Sequence, residues 1–135
     1  MRRRAPHADL PGIPDLVEEL GRLSEELDEA LRFQRSRAER WAESENAYRL
    51  ARAAAQLEAV DELQKAKGWD RPTVDQQRAW VDLQTEKERV EAHLADKMLD
   101  AAREAVRARR AQLSAMQSVA TAVRTEIEFA RGQAA

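Results

Sequence analysis

The sequence predicts an all-α protein: a long antiparallel helical hairpin of coiled-coil type that assembles as a four-helix bundle dimer. Three observations predict it. Gly and Pro are confined to a few places, the intervening stretches are dominated by Ala, Leu, Glu, Arg and Gln, and the apolar residues in those stretches recur at alternating spacings of three and four. The breakers divide the chain. Pro6, Pro11, Gly12 and Pro14 make residues 1–13 an irregular basic arm led by Arg2 to Arg4, and after it only Gly21 interrupts before Gly68. Beyond Pro72 nothing interrupts until Gly132, so a helical hairpin over 14–131 is followed by a frayed tail at 132–135.

The first helix is expected over 14–67. Pro14 suits a first turn, where its missing N–H costs no hydrogen bond, and Asp15, Glu18 and Glu19 favour the positive end of the helix dipole. Lys65 and Lys67 fall in the last turn, and Gly68 can adopt the left-handed conformation that closes it. A turn at 68–72 follows. Thr73 to Gln76 then has the spacing of a capping box, which opens a second helix over 73–131. At 1.5 Å per residue each helix would run about 80–90 Å.

In the second helix Ala92, Ala95, Leu99, Ala102, Val106, Arg109, Leu113, Met116, Ala120, Val123 and Ile127 form the seam. The first helix continues it through Leu16, Leu20, Leu23, Leu27 and Ala30, is interrupted by Gln34 and Arg37, and resumes at Trp41, Ser44, Tyr48 and Ala51. A bend centred near residue 70 sets 31–37 against about 103–109 in an antiparallel pair, so Gln34 and Arg109 are expected to share a layer. Phe129 is expected to pack beside Leu16. Two helices bury one stripe each, which leaves them marginal alone. The second helix carries a further stripe of Leu94, Ala101, Ala105, Ala108 and Ala115, read as an oligomer interface; the alternative is that these alanines only raise helix propensity.

Charge is balanced in total and uneven in place. The net charge is −2, with 23 basic and 25 acidic residues. Arginines cluster at Arg32, Arg35, Arg37 and Arg40 and again at Arg103, Arg107, Arg109 and Arg110, and the antiparallel register would align the two groups into a belt. Arg32, Arg35, Arg40, Arg103, Arg107 and Arg110 are thus candidate contacts for phosphate or an acidic partner, since guanidinium binds both; the competing reading is a solvated face laced by pairs along the helix. The pI of about 5.8 lacks the basic footprint of a dedicated nucleic-acid binder. The segment from Asp15 to Glu29, with seven acids and only Arg22, makes one end negative.

Catalysis and cofactors are not expected. Without cysteine there is no disulfide framework, zinc ribbon or thiol nucleophile. His93 is the only histidine on a predicted helix, and the paired Glu-x-x-His of carboxylate-bridged metal bundles is missing. Neither a Gly-rich phosphate loop nor a Ser/His/Asp set is present. No apolar run approaches the roughly 18 residues of a membrane span, and Arg2 to Arg4 are not followed by the apolar core of a signal peptide, so a soluble cytoplasmic protein is expected. Trp69 and Trp80 are candidate partner anchors, with capping of the bundle end as the other role for Trp69. Trp41 and Tyr48, seven residues apart on the seam, read as core.

Three runs carry a resemblance: Glu45 with Tyr48, Arg49, Leu50, Ala51 and Arg52; Arg78, Ala79 and Val81 to Thr85; and Ala111 to Ser118 with Phe129 to Arg131. Together they resemble small helical proteins of actinobacterial phages and prophages, over most of the chain after residue 15. The resemblance implies a phage origin and a place near DNA replication or recombination, and it supplies no site residues. Small secreted helical pairs with Trp-x-Gly at the bend are a poor comparison, because the bend here reads Lys67, Gly68, Trp69, Asp70. The expected function is a non-enzymatic, oligomeric adaptor or assembly protein with a protein partner, in DNA metabolism or inhibition of a host factor. The alternative is non-specific nucleic-acid binding through the arginines.

Overall fold

The computed structural model describes residues 12–68 and 71–134, and within them the chain forms three α-helices and no strand: α1 (Ile13–Lys67), α2 (Val74–Gln84) and α3 (Glu86–Ala134). Residues 1–11 of the expected arm and Trp69 and Asp70 of the expected turn lie outside the described residues.

The helix ends follow the local chemistry read from the sequence. At the start of α1 the Gly12 carbonyl accepts the Leu16 N–H at 3.0 Å. At its end Gly68 has φ 68° and donates its N–H to the Gln64 carbonyl at 3.1 Å, a conformation that costs a residue with a Cβ about 1 kcal/mol or more. Thr73 caps α2 reciprocally. Its hydroxyl accepts the Gln76 N–H at 3.2 Å, and the Gln76 side chain accepts the Thr73 N–H at 2.8 Å.

The single helix expected over 73–131 is two helices, parted at Thr85, whose backbone opens to φ −107° and ψ 12°. A buried hydroxyl sits at the break. Thr85 is 1% exposed on the seam, where water cannot satisfy it, and its Oγ1 donates to the Val81 carbonyl at 2.7 Å. That carbonyl also accepts the Thr85 N–H at 3.0 Å, and the Arg89 N–H still reaches the Thr85 carbonyl at 2.9 Å, so the hydrogen-bond ladder survives the break. At the other end α3 continues past the expected stop at 131 and through Gly132 to Ala134.

The chain divides into two compact units. Unit 1 takes Met1–Arg32 with Arg103–Ala135, and unit 2 takes Phe33–Ala102; α1 and α3 contribute to both. The boundary on α1 falls beside Gln34, where the apolar seam is interrupted.

Unit 2 has the tighter core. Ala55, Ala59, Leu63, Val81, Ala92, Ala95, Leu99 and Ala102 are buried; those from Ala92 to Ala102 keep the three-and-four spacing that the sequence shows, while Ala55, Ala59 and Leu63 recur at four. The segments run antiparallel, with Arg37 opposite Met98 and Arg52 opposite Asp82. In unit 1 only Leu16, Leu23 and Val106 are buried, while Leu20, Leu27, Leu113, Met116, Val123 and Ile127 are half-buried. Arg109 there lies opposite Glu26, not at the level of Gln34.

Both pairings place the register about five residues from the expected one. In this register Val74, at the start of α2, stands short of the end of α1 at Lys67. Interdigitating side chains select the register. Phe129 also departs from expectation: it is 66% exposed, and Ile127 lines the groove with Leu16 in its place. Two residues along a helix turn a side chain by about 200°, so with Ile127 on the seam Phe129 faces away.

Removing the Leu99 side chain, which is 2% exposed, should cost about 2–5 kcal/mol as Leu99→Ala. Leu57→Ala, at a position 86% exposed, should change stability by less than about 0.5 kcal/mol. Urea unfolding followed by circular dichroism measures both, and comparable losses would contradict the seam.

Candidate interaction surface

In unit 1 the register brings Arg109 of α3 against the acidic start of α1, and Arg22 and Arg107 pair with carboxylates within their own helices. Arg22 donates to Glu19, at 3.0 Å through Nε, and to Glu26 at 2.6 Å. Glu26 also faces Arg109 at 3.2 Å, although its Oε2 has no directed hydrogen bond. Arg109 donates to the Gln112 side chain at 3.0 Å, and Arg107 pairs with Glu104 one turn away. The Arg22 guanidinium holds the Glu19 carboxyl below its ordinary 4.5, chiefly by hydrogen bonding, which outweighs an opposing desolvation, with charge attraction adding to it.

In unit 2 Arg52 bridges α1 and α2, donating to Asp82 at 2.9 Å and to the Tyr48 hydroxyl at 3.3 Å. Those two acceptors raise its pKa, Asp82 first. Arg37, expected on the seam, is half-buried: its guanidinium lies 4.7 Å over the Phe33 ring and reaches the Met98 sulfur at 3.7 Å. Arg49 pairs with Glu45 at 3.5 Å.

The six candidate phosphate contacts therefore separate into two kinds. Arg107 is neutralised by Glu104 and Arg103 is engaged, whereas Arg32, Arg35, Arg40 and Arg110, all exposed, form no ion pair among the described residues. Of the two tryptophans read as anchors, Trp69 lies outside the described residues. Trp80 is half-buried and packs on Ala55, Ala59 and Val81, so much of its ring serves the core of unit 2. Trp41 and Tyr48 are half-buried and His93 is exposed. Among the described residues no group of three His, Cys, Asp or Glu is placed to hold a metal ion. No helix there is long and apolar enough to cross a membrane.

The residues read as an oligomer interface are all exposed: Leu94, Ala101, Ala105, Ala108 and Ala115. Within unit 1 the series continues at Ala122 and Phe129, each seven residues beyond the last, so one line of α3 presents Ala108, Ala115, Ala122 and Phe129 outward. That seven-residue repeat was available in the sequence as the signal for Phe129. Other exposed apolar side chains repeat at seven as well, Leu50 with Leu57 on α1 and Leu83 with Val90 across Thr85.

Two grooves flank the helix pair of unit 1. One of about 460 Å³ is lined by Leu16, Leu20, Val123 and Ile127, with Arg124 and Arg131 at its edge. The other, about 370 Å³, is lined by apolar Leu23, Ala115, Met116 and Val119 and by charged Glu19, Arg22, Glu26 and Arg109. Both are predominantly apolar inside.

Comparison of the chain with protein-family models, with curated proteins and with solved structures finds no match in any of the three.

Arg22→Ala should return the Glu19 carboxyl to about its ordinary 4.5, read as a side-chain carboxyl titration by NMR. The sign follows from linkage: a depressed carboxyl supports folding fully above its unfolded pKa, and that support is lost as pH falls through the folded one. An unshifted Glu19 titration in the variant would show that Arg22 is not the cause.

Proposed function

We propose that this chain is a non-enzymatic helical adaptor or assembly protein that works through protein–protein contacts. Its helices form a long antiparallel hairpin, and two copies join in a four-helix bundle. The uncovered apolar surface carries this reading. Unit 1 leaves most of its seam half-buried and presents Val17, Val119 and Phe129 to water, while unit 2 does the same with Leu50, Leu57, Leu83 and Leu94. Apolar surface left in water favours a contact, because water ordered along it is released when another surface covers it. The resemblance to actinobacterial phage proteins supplies the setting: the host bacterial cytoplasm, with a partner in phage DNA metabolism or a host factor to be inhibited.

The arginines without ion pairs favour a second reading, non-specific binding of nucleic acid through Arg32, Arg35, Arg40 and Arg110. Unpaired guanidinium groups gain most from phosphate because no existing pair has to break.

Sedimentation equilibrium at micromolar concentration should give twice 15.3 kDa; a species of 15.3 kDa would reject self-association. The nucleic-acid reading is tested by salt. DNA affinity should fall steeply between low and moderate salt, and Arg35→Gln, Arg40→Gln and Arg110→Gln together should flatten that slope by about three units if each contacts one phosphate. Affinity indifferent to the triple substitution would remove that reading.

A further inference from the structure

We infer that the groove of unit 1 between Leu23 and Val119 is the contact with a second copy of this chain, laid antiparallel so that α1 faces α1 and α3 faces α3 about a two-fold axis level with Ala115. The inference rests on the self-association proposed above and names its surface, orientation and centre.

The surface supplies both halves of such a contact. Ala108, Ala115 and Ala122 form a low ridge on α3, and small side chains let two helix backbones approach closely. Ala115 is at once part of the ridge and part of the groove wall. A patch that carries ridge and groove side by side is self-complementary under a two-fold, as an isologous interface requires.

Charge fixes the orientation and centre. Within unit 1 the pairing of Glu26 with Arg109 sets the antiparallel register, which brings Glu19 level with about Met116 and Arg22 level with about Leu113. Ala115 therefore lies level with the midpoint between Glu19 and Arg22. A two-fold at that level places Glu19 opposite the Arg22 of the second copy, and Arg22 opposite its Glu19. The two intrahelical pairs then close into one ring of four alternating charges. A parallel two-fold would instead set α1 against α3 of the second copy, with Glu19 level with about Met116 and Arg22 level with about Leu113, and the ring of charges would not form.

The occupant follows from the same charges. Two carboxylates and two guanidiniums leave the groove with no net charge, so a polyanion would meet Glu19 and Glu26 as well as the arginines and gain little. An acidic or basic peptide would match one sign and oppose the other. A second copy reversed end for end answers Glu19 and Arg22 together.

The chain has no cysteine, which makes site-specific disulfides a clean readout. Oxidised Ala115→Cys should run as a covalent dimer on a non-reducing gel. Ala108→Cys and Ala122→Cys should each stay monomeric alone and cross-link when mixed, because the two-fold opposes those positions. Thr121→Cys, on the other flank of the pair, should not cross-link. Glu19→Arg should weaken dimerisation about tenfold in sedimentation, and Glu19→Arg with Arg22→Glu should restore it by exchanging both members of the ring. A dimer that cross-links through Thr121→Cys and not through Ala115→Cys would overturn this surface and leave self-association standing. Cross-linking of Ala108→Cys alone as readily as in the mixture would overturn the antiparallel orientation. A monomer in sedimentation would overturn the inference and the self-association together.

Discussion

A single line of apolar side chains at alternating three-and-four spacing is the constraint from which the rest of the structure follows. An α-helix turns once every 3.6 residues, so such a line stays on one face, and that face must be removed from water for helices of this composition to persist. In unit 2 the line is satisfied by alanine against larger partners: Ala55 and Ala59 meet Val81 and Trp80, and the alternation of small and large keeps the packing close. Thr85, polar and buried there, keeps its hydroxyl bonded by turning it back on its own helix, at the point where α2 and α3 part.

The two units meet the same constraint unequally. Unit 2 buries its seam, whereas unit 1 leaves leucine, methionine, valine and isoleucine side chains half in water along the corresponding line. Electrostatics partly offsets this in unit 1, where Arg22, Glu26 and Arg109 link α1 to α3. Exposed ion pairs of that kind are each worth under about 1 kcal/mol, less than burying one leucine. The imbalance is the physical reason for placing the proposed self-contact on unit 1.

The arginines illustrate how register changes the meaning of a cluster. Read along the chain, Arg103 to Arg110 and Arg32 to Arg40 look like two halves of one basic surface. In unit 1, however, the acidic opening of α1 lies against the later cluster, and Arg109 is turned toward Glu26 while Arg107 closes on Glu104. Of these two pairs, only that of Arg109 with Glu26 joins α1 to α3.

The helical character, the caps at Gly68 and Thr73 and the run of seam positions from Ala92 to Val106 were determined by the sequence alone, because each depends on residues within a turn or two of one another. The seven-residue repeat from Ala108 to Phe129 belongs with them. Register, and with it the partner of Arg109, was decided only by tertiary structure, since it depends on how side chains from distant segments interlock. The packing of Trp80 on Ala55 and Ala59 and the break at Thr85 were hidden for the same reason: a residue's neighbours across a helix pair, and whether water can reach it, are properties of two segments together and are encoded in neither one by itself.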